Sequence, residues 1–218
     1  MYFGTGKYLE PSDQRPGRAT RRFYALWDRG FGTNTAGRTA IAGGNMLQQR
    51  ITSETLREID TDQDGTTDDF VAIRETSQEL IDWGRHEGWY MNLEFRGFFG
   101  EQVVAAPLLR DGKVFLATHI PTGDECTPNQ DGWFMILDAR SGAMLPDTQV
   151  DLDGNGEFDD GTFSGVSGLV NSHASPTIIS SGVTDVLLSQ TATNPEATSQ
   201  IIRSGFQDGR LTWRELEP

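Results

Sequence analysis

Two acidic segments of the chain carry residue types and spacings that are typical of calcium binding. The first acidic loop spans residues 60–69, and the second acidic loop spans residues 151–160. Both fit D-x-D-x-[DN]-G-x-x-D, which puts oxygen-bearing side chains at the first, third, fifth and ninth positions. Calcium takes about six to eight oxygen ligands, and a tight loop with acceptors at alternate positions folds them around one ion. The pattern therefore predicts a calcium ion, Ca²⁺, in each loop.

The candidate ligands are the acceptor positions of each loop and the residue that follows its glycine. Gly65 and Gly156 hold the sixth position, where a sharp turn needs backbone angles that glycine adopts without steric cost. The seventh residue would offer its backbone carbonyl oxygen. The predicted metal ligands are Asp60, Asp62, Asp64, Thr66 and Asp68 in the first loop and Asp151, Asp153, Asn155, Glu157 and Asp159 in the second.

Both loops differ from EF-hand loops at the twelfth position, which is Val71 in the first loop and Thr162 in the second instead of a bidentate glutamate. The missing ligand predicts weak binding, with a dissociation constant of about 10⁻⁴–10⁻³ M, as in extracellular modules. Such sites fill outside a cell and stay mostly empty in the cytosol, so we expect an extracellular or periplasmic setting. The simpler alternative for each loop is an acidic turn that binds only water.

The elements that must position these loops are short strands separated by turn residues. Strands are predicted at 22–27, 70–74, 89–94, 103–109, 113–119, 133–138, 176–180, 185–191, 200–203 and 210–215. Residues 45–49 and 76–82 could form short helices. Because the strands dominate, the predicted fold class is all-β, and each acidic loop should close a β-hairpin or link strands.

A repeat in the sequence indicates how the strands are arranged. Residues 106–118 read as strand, glycine turn, strand, and residues 175–189 repeat that order. Each pair is followed by a further two-strand unit, 133–138 with 143–145 and 200–203 with 211–213. Four short antiparallel strands per repeat are typical of a β-propeller blade, and a Greek-key sandwich is the main alternative. The Asp-Ala-Arg-Ser-Gly turn at 138–142 resembles a hairpin that recurs in propellers of the quinoprotein type.

Composition argues against several classes of function. The 218 residues carry a net charge of −14, which repels nucleic acid, and they contain no apolar run long enough to span a membrane. Cys126 is the single cysteine, so an internal disulfide and a zinc site built on paired cysteines are excluded. No signal peptide is visible at the start of the chain. His86, His119 and His173 lie in unrelated contexts without catalytic or metal-binding spacing, so we expect a non-enzymatic protein.

Several segments, in order along the chain, resemble sequences of one family of bacterial surface proteins. They are YFGTGKYL at 2–9, FYALWD at 23–28, GWYMNL at 88–93, GEQVVAAP at 100–107, WFMILD at 133–138, SPTI at 175–178 and GRLTWR at 209–214. The family is the PilY family of type IV pilus biogenesis factors and tip-associated adhesins. The resemblance runs through nearly the whole chain, from Tyr2 to Trp213.

The resemblance implies a quinoprotein-like β-propeller with calcium in an Asp-rich loop, on a protein exported to the cell surface. PilY proteins support pilus assembly, oppose pilus retraction when calcium is bound, and contribute to adhesion and twitching motility. Matching the motif residue by residue assigns the family's calcium ligands to Asp60, Asp62, Asp64, Thr66 and Asp68. The expected partners are minor pilins at the pilus tip and host or abiotic surfaces.

Family members are much longer than this chain. Residues 1–218 are therefore expected to be the C-terminal part of a propeller whose remaining blades, and signal peptide, lie upstream, because half a propeller would leave an open sheet edge. Two alternatives to a calcium-binding pilus factor remain open on the sequence. One is part of a quinoprotein-type dehydrogenase, and the other is an extracellular scaffold in which calcium is purely structural.

Overall fold

A computed structural model describes residues 1–7, 10, 13, 17, 19–27, 45–121, 132–158, 161–167, 177–180, 185–190 and 197–203. These residues form β-strands and turns, and none of them lies in an α-helix. The strands are β1 (Tyr2–Gly4), β2 (Arg21–Leu26), β3 (Leu47–Gln49), β4 (Ile51–Ile59), β5 (Asp69–Thr76), β6 (Gly88–Leu93), β7 (Leu108–Arg110), β8 (Lys113–Ala117), β9 (Trp133–Asp138), β10 (Gly165–Ser167), β11 (Thr177–Ser180), β12 (Asp185–Gln190) and β13 (Ala197–Ile202). The all-β prediction is confirmed.

The strands build three sheets. The first has the order β1-β2-β6-β3, the second β4-β5-β10-β9-β8-β7 and the third β11-β12-β13. All pairs are antiparallel except β3 with β6, which is parallel. In β2 and β6 buried and partly exposed residues alternate, as expected of strands with one face against a core.

The six-stranded sheet is the middle layer. Strands β8 and β9 are buried on both faces, which explains their nearly continuous apolar sequences. One face contributes Leu116, Met135 and Leu137 to a core shared with Phe23 and Trp89 of the first sheet. The other face packs on the third sheet in a second core, which includes Phe134, Ile136, Val166, Leu187 and Ile202.

Strands β7 to β10 form a four-stranded antiparallel meander within the middle sheet, the strand count of one propeller blade. The two sequence repeats are the hairpins β7–β8 and β11–β12. The turn of the first is Asp111-Gly112, with both residues at positive φ (49° and 73°), as a two-residue hairpin requires. The described residues form no closed ring of blades.

Several element predictions are wrong. Residues 47–49 form a strand rather than a helix, because they pair with β6 and the side-chain Nε2 of Gln49 donates to the carbonyl oxygens of Glu79 and Ser141, both at 2.8 Å. Residues 77–82 are irregular, since hydrogen bonds such as that from the Arg50 amide to Ser77 Oγ (2.9 Å) replace a local helix. The fourth strand of the meander is β10, not 143–145. Of the predicted strand at 103–109, only its end lies in β7. The predicted strand at 210–215 lies outside the described residues.

Candidate metal centre

The first acidic loop lies at the end of the long hairpin β4–β5. Ile59 and Asp69 are the last pair of the hairpin, and the Asp68 amide donates to the Ile59 carbonyl at 3.0 Å. The carboxylates of Asp60, Asp62 and Asp64 each place an oxygen within 4.8 Å of the others. The structure therefore brings together three of the predicted ligands on an exposed tip.

Hydrogen bonds inside the first loop hold these carboxylates in place. Asp60 accepts from the Gly65 amide at 2.8 Å, Asp62 from the Asp64 amide at 3.2 Å and Asp64 from the Thr66 amide at 2.8 Å. Gln63 and Gly65 have positive φ, 59° and 90°. The chain thus winds around its own carboxylates, as expected of a loop that offers oxygens to one point.

The second acidic loop repeats this conformation. Asp151 accepts from the Gly156 amide at 3.0 Å, Asp153 from the Asn155 amide at 3.1 Å and Asn155 Oδ1 from the Glu157 amide at 2.6 Å. Gly154 and Gly156 take the positive φ angles, 76° and 87°. Both loops share three hydrogen bonds. In each, the amides of the sixth, fifth and seventh residues donate to the side chains of the first, third and fifth residues. The repeated sequence motif is therefore also a repeated structure.

The loops differ in burial. In the first loop Asp62 and Asp64 are exposed and Asp60 is partly exposed, whereas the Asp151 side chain is fully buried. Burial raises the pKa of Asp151, and the neighbouring charge of Asp153 adds to the rise, against the lowering effect of the Gly156 and Gly154 amides. A buried carboxylate of this kind needs compensating positive charge more than an exposed one does.

The remaining predicted ligands are not among the side chains that the hydrogen bonds common to both loops hold in place. Asp68 accepts from the Thr61 amide at 2.9 Å and from Thr61 Oγ1 at 2.9 and 3.0 Å, and these donors lower its pKa. Its carboxylate is thus already engaged by Thr61, a contact that the loop motif does not reveal. Thr66 and Glu157 hold the seventh positions, where the predicted metal ligand is the backbone carbonyl oxygen. Asp159 lies outside the described residues.

The stacked, largely antiparallel sheets define the class of fold, and a solved structure shares it. The crystal structure of the Pseudomonas aeruginosa PilY1 C-terminal domain matches with a TM-score of 0.70 and 21% sequence identity. The match covers 93% of this chain and 41% of that one. The chain therefore has the fold of part of that domain.

Sequence comparison leads to the same family. The type IV pilus biogenesis factor PilY1 homolog of Xylella fastidiosa (strain Temecula1) is 30% identical over 145 residues, which make up 65% of this chain and 9% of that protein. The type IV pilus biogenesis factor PilY1 of P. aeruginosa (strain PAO1) is 28% identical over 169 residues, 73% of this chain and 14% of that protein. No protein-family model matches the chain. The resemblance to the C-terminal region of the PilY family is confirmed, and the chain spans a small part of the length of these relatives.

None of the described residues builds a helix with the length and apolar character that crossing a membrane requires.

Proposed function

We propose that the chain is a calcium-binding, non-enzymatic segment of a type IV pilus assembly and adhesion factor at the cell surface, where it modulates pilus extension and retraction. The relatives are named type IV pilus biogenesis factors, and this name supports the pilus role. The observation that carries the calcium part is the repeated loop geometry. Two loops of one sequence pattern share the same hydrogen bonds around their carboxylates.

The donor set favours calcium over other metals. Carboxylate, amide and carbonyl oxygens are hard ligands, which suit Ca²⁺ and Mg²⁺. The described ligands include neither histidine nor cysteine, which zinc sites use. An irregular protein loop suits Ca²⁺, which accepts variable coordination geometry, better than Mg²⁺, which requires a nearly ideal octahedron. The missing bidentate glutamate fits weak binding at extracellular calcium concentrations.

The stacking of the sheets supports the finer part of the fold prediction, a partial β-propeller. Three sheets pack face to face, and the middle one contains a four-stranded meander. Successive propeller blades pack in this way. The remaining blades would then lie in other parts of a longer protein.

The contacts of the two described histidines support a non-enzymatic function. His119 is fully buried, and its backbone forms an isolated bridge with Gln102. The Nδ1 atom of His86 accepts the Asp82 amide at 3.0 Å within a turn. An imidazole buried away from solvent and one held inside a turn suit structural roles better than that of a general acid or base.

Calorimetric titration of the purified chain should show two calcium sites with dissociation constants of about 10⁻⁴–10⁻³ M. Asp62→Asn removes a carboxylate from the first loop and Asp153→Asn one from the second, so each variant is expected to lose one site. Glu79→Gln removes an exposed carboxylate outside both loops and should retain both sites. A folded chain without saturable calcium binding would contradict the proposal, and the loops would then be acidic turns.

The pilus role predicts a phenotype in the host that encodes the chain. Deletion of the gene should reduce surface piliation and twitching, and the wild-type gene should restore both. The Asp62→Asn gene is expected to restore piliation but to alter the calcium dependence of twitching, because the loop would no longer respond to the ion. Unchanged piliation and twitching after deletion would argue against the role.

A further inference from the structure

We propose that the two acidic loops have different roles and that the second is a staple: when it holds a cation, it fastens the three-stranded sheet β11–β13 to the middle sheet. The first loop is instead an independent surface site. This inference rests on the calcium binding proposed above and assigns each loop its own consequence of binding.

The main chain of the second loop is continuous with a junction between sheets. Val150 forms a bridge with Ile202 of β13, and the Asp151 amide donates to the Ile201 carbonyl at 3.2 Å. The Arg203 amide donates to the Gln149 carbonyl at 2.9 Å. The first calcium-ligand position, Asp151, is therefore also a hydrogen-bonding partner of β13.

Side chains reinforce the same junction. The Arg203 guanidinium lies 5.1 Å from the ring centroid of Phe158 in the second loop. Lys113 Nζ of the middle sheet donates to the Arg203 carbonyl at 2.9 Å, and Arg110 pairs with the buried Asp185 of β12 at 3.0 Å. The end of β13 is thus held jointly by the second loop and by the middle sheet.

The residues that follow the second loop contact the middle sheet at another place. Arg57 of β4 lies 5.9 Å from the ring centroid of Phe163. A Cβ atom on Gly161 would come within 2.8 Å of the same guanidinium, and Thr148 Oγ1 donates to the Gly161 carbonyl at 3.1 Å. The chain is therefore fixed on either side of the second loop, on β13 at Val150 and Asp151 and on hairpin β4–β5 at Gly161 and Phe163.

The first loop has none of these long-range connections among the described residues. The hydrogen bonds of its carboxylates stay within residues 60–68, and the bond from Thr67 Oγ1 to Glu58 at 3.4 Å stays within the same hairpin. A cation there would order an exposed tip without changing how the sheets contact one another.

The physical cause of the staple is the charge of a partly buried loop. Without a cation, the carboxylates of Asp151 and Asp153 repel each other, and the repulsion is less screened at Asp151 because it is buried. Because Asp151 is buried, moving its carboxylate away from Asp153 would displace the backbone that also pairs with β13. A bound cation neutralises the two carboxylates and removes the repulsion between them, so the backbone keeps its pairing with β13.

Hydrogen exchange of the 218-residue chain, with and without calcium, tests the division of roles. If opening of β13 requires release of the ion, exchange in peptides that cover residues 197–203 should slow by about 100-fold at a calcium concentration 100 times the dissociation constant of the second loop. Asp153→Asn should abolish this protection, and Asp62→Asn should leave it intact. Asn155→Ala provides a second change in the loop should Asp153→Asn fold poorly.

Calorimetry on the same samples separates this inference from the proposed function. Calcium binding at the second loop without slower exchange at 197–203 would overturn the staple and leave calcium binding in place. Loss of the protection in Asp62→Asn would also overturn it, since the first loop would then control the junction. If the second loop binds no calcium, both the staple and the binding proposed for that loop are wrong.

Discussion

Replacement of Gly142 by alanine is expected to lower the free energy of unfolding by about 2–5 kcal/mol. Gly142 ends the turn at 138–142 with φ of 73°, a left-handed conformation that costs a residue with a Cβ atom about 1–2 kcal/mol. The added Cβ would also lie 2.4 Å from two atoms of the Trp89 ring. Overpacking of this kind costs about a further 1–3 kcal/mol.

The loss should be large because the turn and Trp89 fix each other. Asp138 Oδ1 accepts both the amide and the hydroxyl of Ser141 at 2.7 Å, and the Gly142 amide donates to the Asp138 carbonyl at 2.8 Å. Trp89 is fully buried, and its indole N–H donates to the Ala139 carbonyl at 3.1 Å. Displacement of the ring would therefore disturb the core between the first and middle sheets.

Gly112→Ala is the matched control. Gly112 also has φ of 73°, but a Cβ there would meet nothing within 4 Å. Urea unfolding of both variants should give a loss of about 1–2 kcal/mol for Gly112→Ala, from backbone strain alone. The excess in Gly142→Ala then measures the contact with Trp89. Equal losses in the two variants would show that the ring moves aside without cost.

This turn shows how far the sequence predicts the fold. The residue types at 138–142 specify the turn, because aspartate and serine accept or donate locally and glycine permits the positive φ. They contain no information that Trp89, fifty residues earlier in the chain, packs on it. Local chemistry was therefore predictable, while the contact that makes the turn important depends on the stacking of two sheets.

The candidate site divides in the same way. The spacing of acceptors and glycines predicts both loops and their shared conformation, because each hydrogen bond within them is local. The burial of Asp151 and the capture of Asp68 by Thr61 were not predictable. The burial of Asp151 depends on β13, which pairs with the second loop from far along the chain. The hydrogen bonds to Asp68 depend on Thr61, which occupies a variable position of the motif.

The second large effect is expected at Arg74, whose side chain is buried in the middle sheet with 1% of its surface exposed. Its guanidinium makes two parallel bonds to Glu101, at 2.7 and 2.8 Å, and two to Glu54 Oε1, at 2.9 and 2.6 Å. It also lies 4.1 Å from the Trp133 ring centroid. Burial alone would lower the pKa of Arg74, but the two glutamates outweigh it and raise the pKa, so the arginine stays charged.

Arg74→Met is expected to reduce the free energy of unfolding by about 3–5 kcal/mol, because it leaves Glu101 buried without its partner. The double variant Arg74→Met, Glu101→Met removes the two buried charges and leaves Glu54, whose side chain is 26% exposed, in contact with water. It should recover much of that loss, since a buried ion pair replaced by apolar groups of similar size costs little. Arg50→Met, at an exposed arginine of the same chain, should change stability by less than about 0.5 kcal/mol.

Urea unfolding of the four proteins decides whether the buried ion pair acts as a unit. Recovery of stability in the double variant would show that the cost of Arg74→Met comes from the buried Glu101 carboxylate left without a partner. A larger loss in the double variant than in Arg74→Met would instead show that each side chain stabilises the fold through separate packing contacts. Because Glu54 lies on β4, the pair with Arg74 also fastens the hairpin that ends in the first acidic loop, so Arg74→Met should in addition increase proteolytic cleavage between β4 and β5.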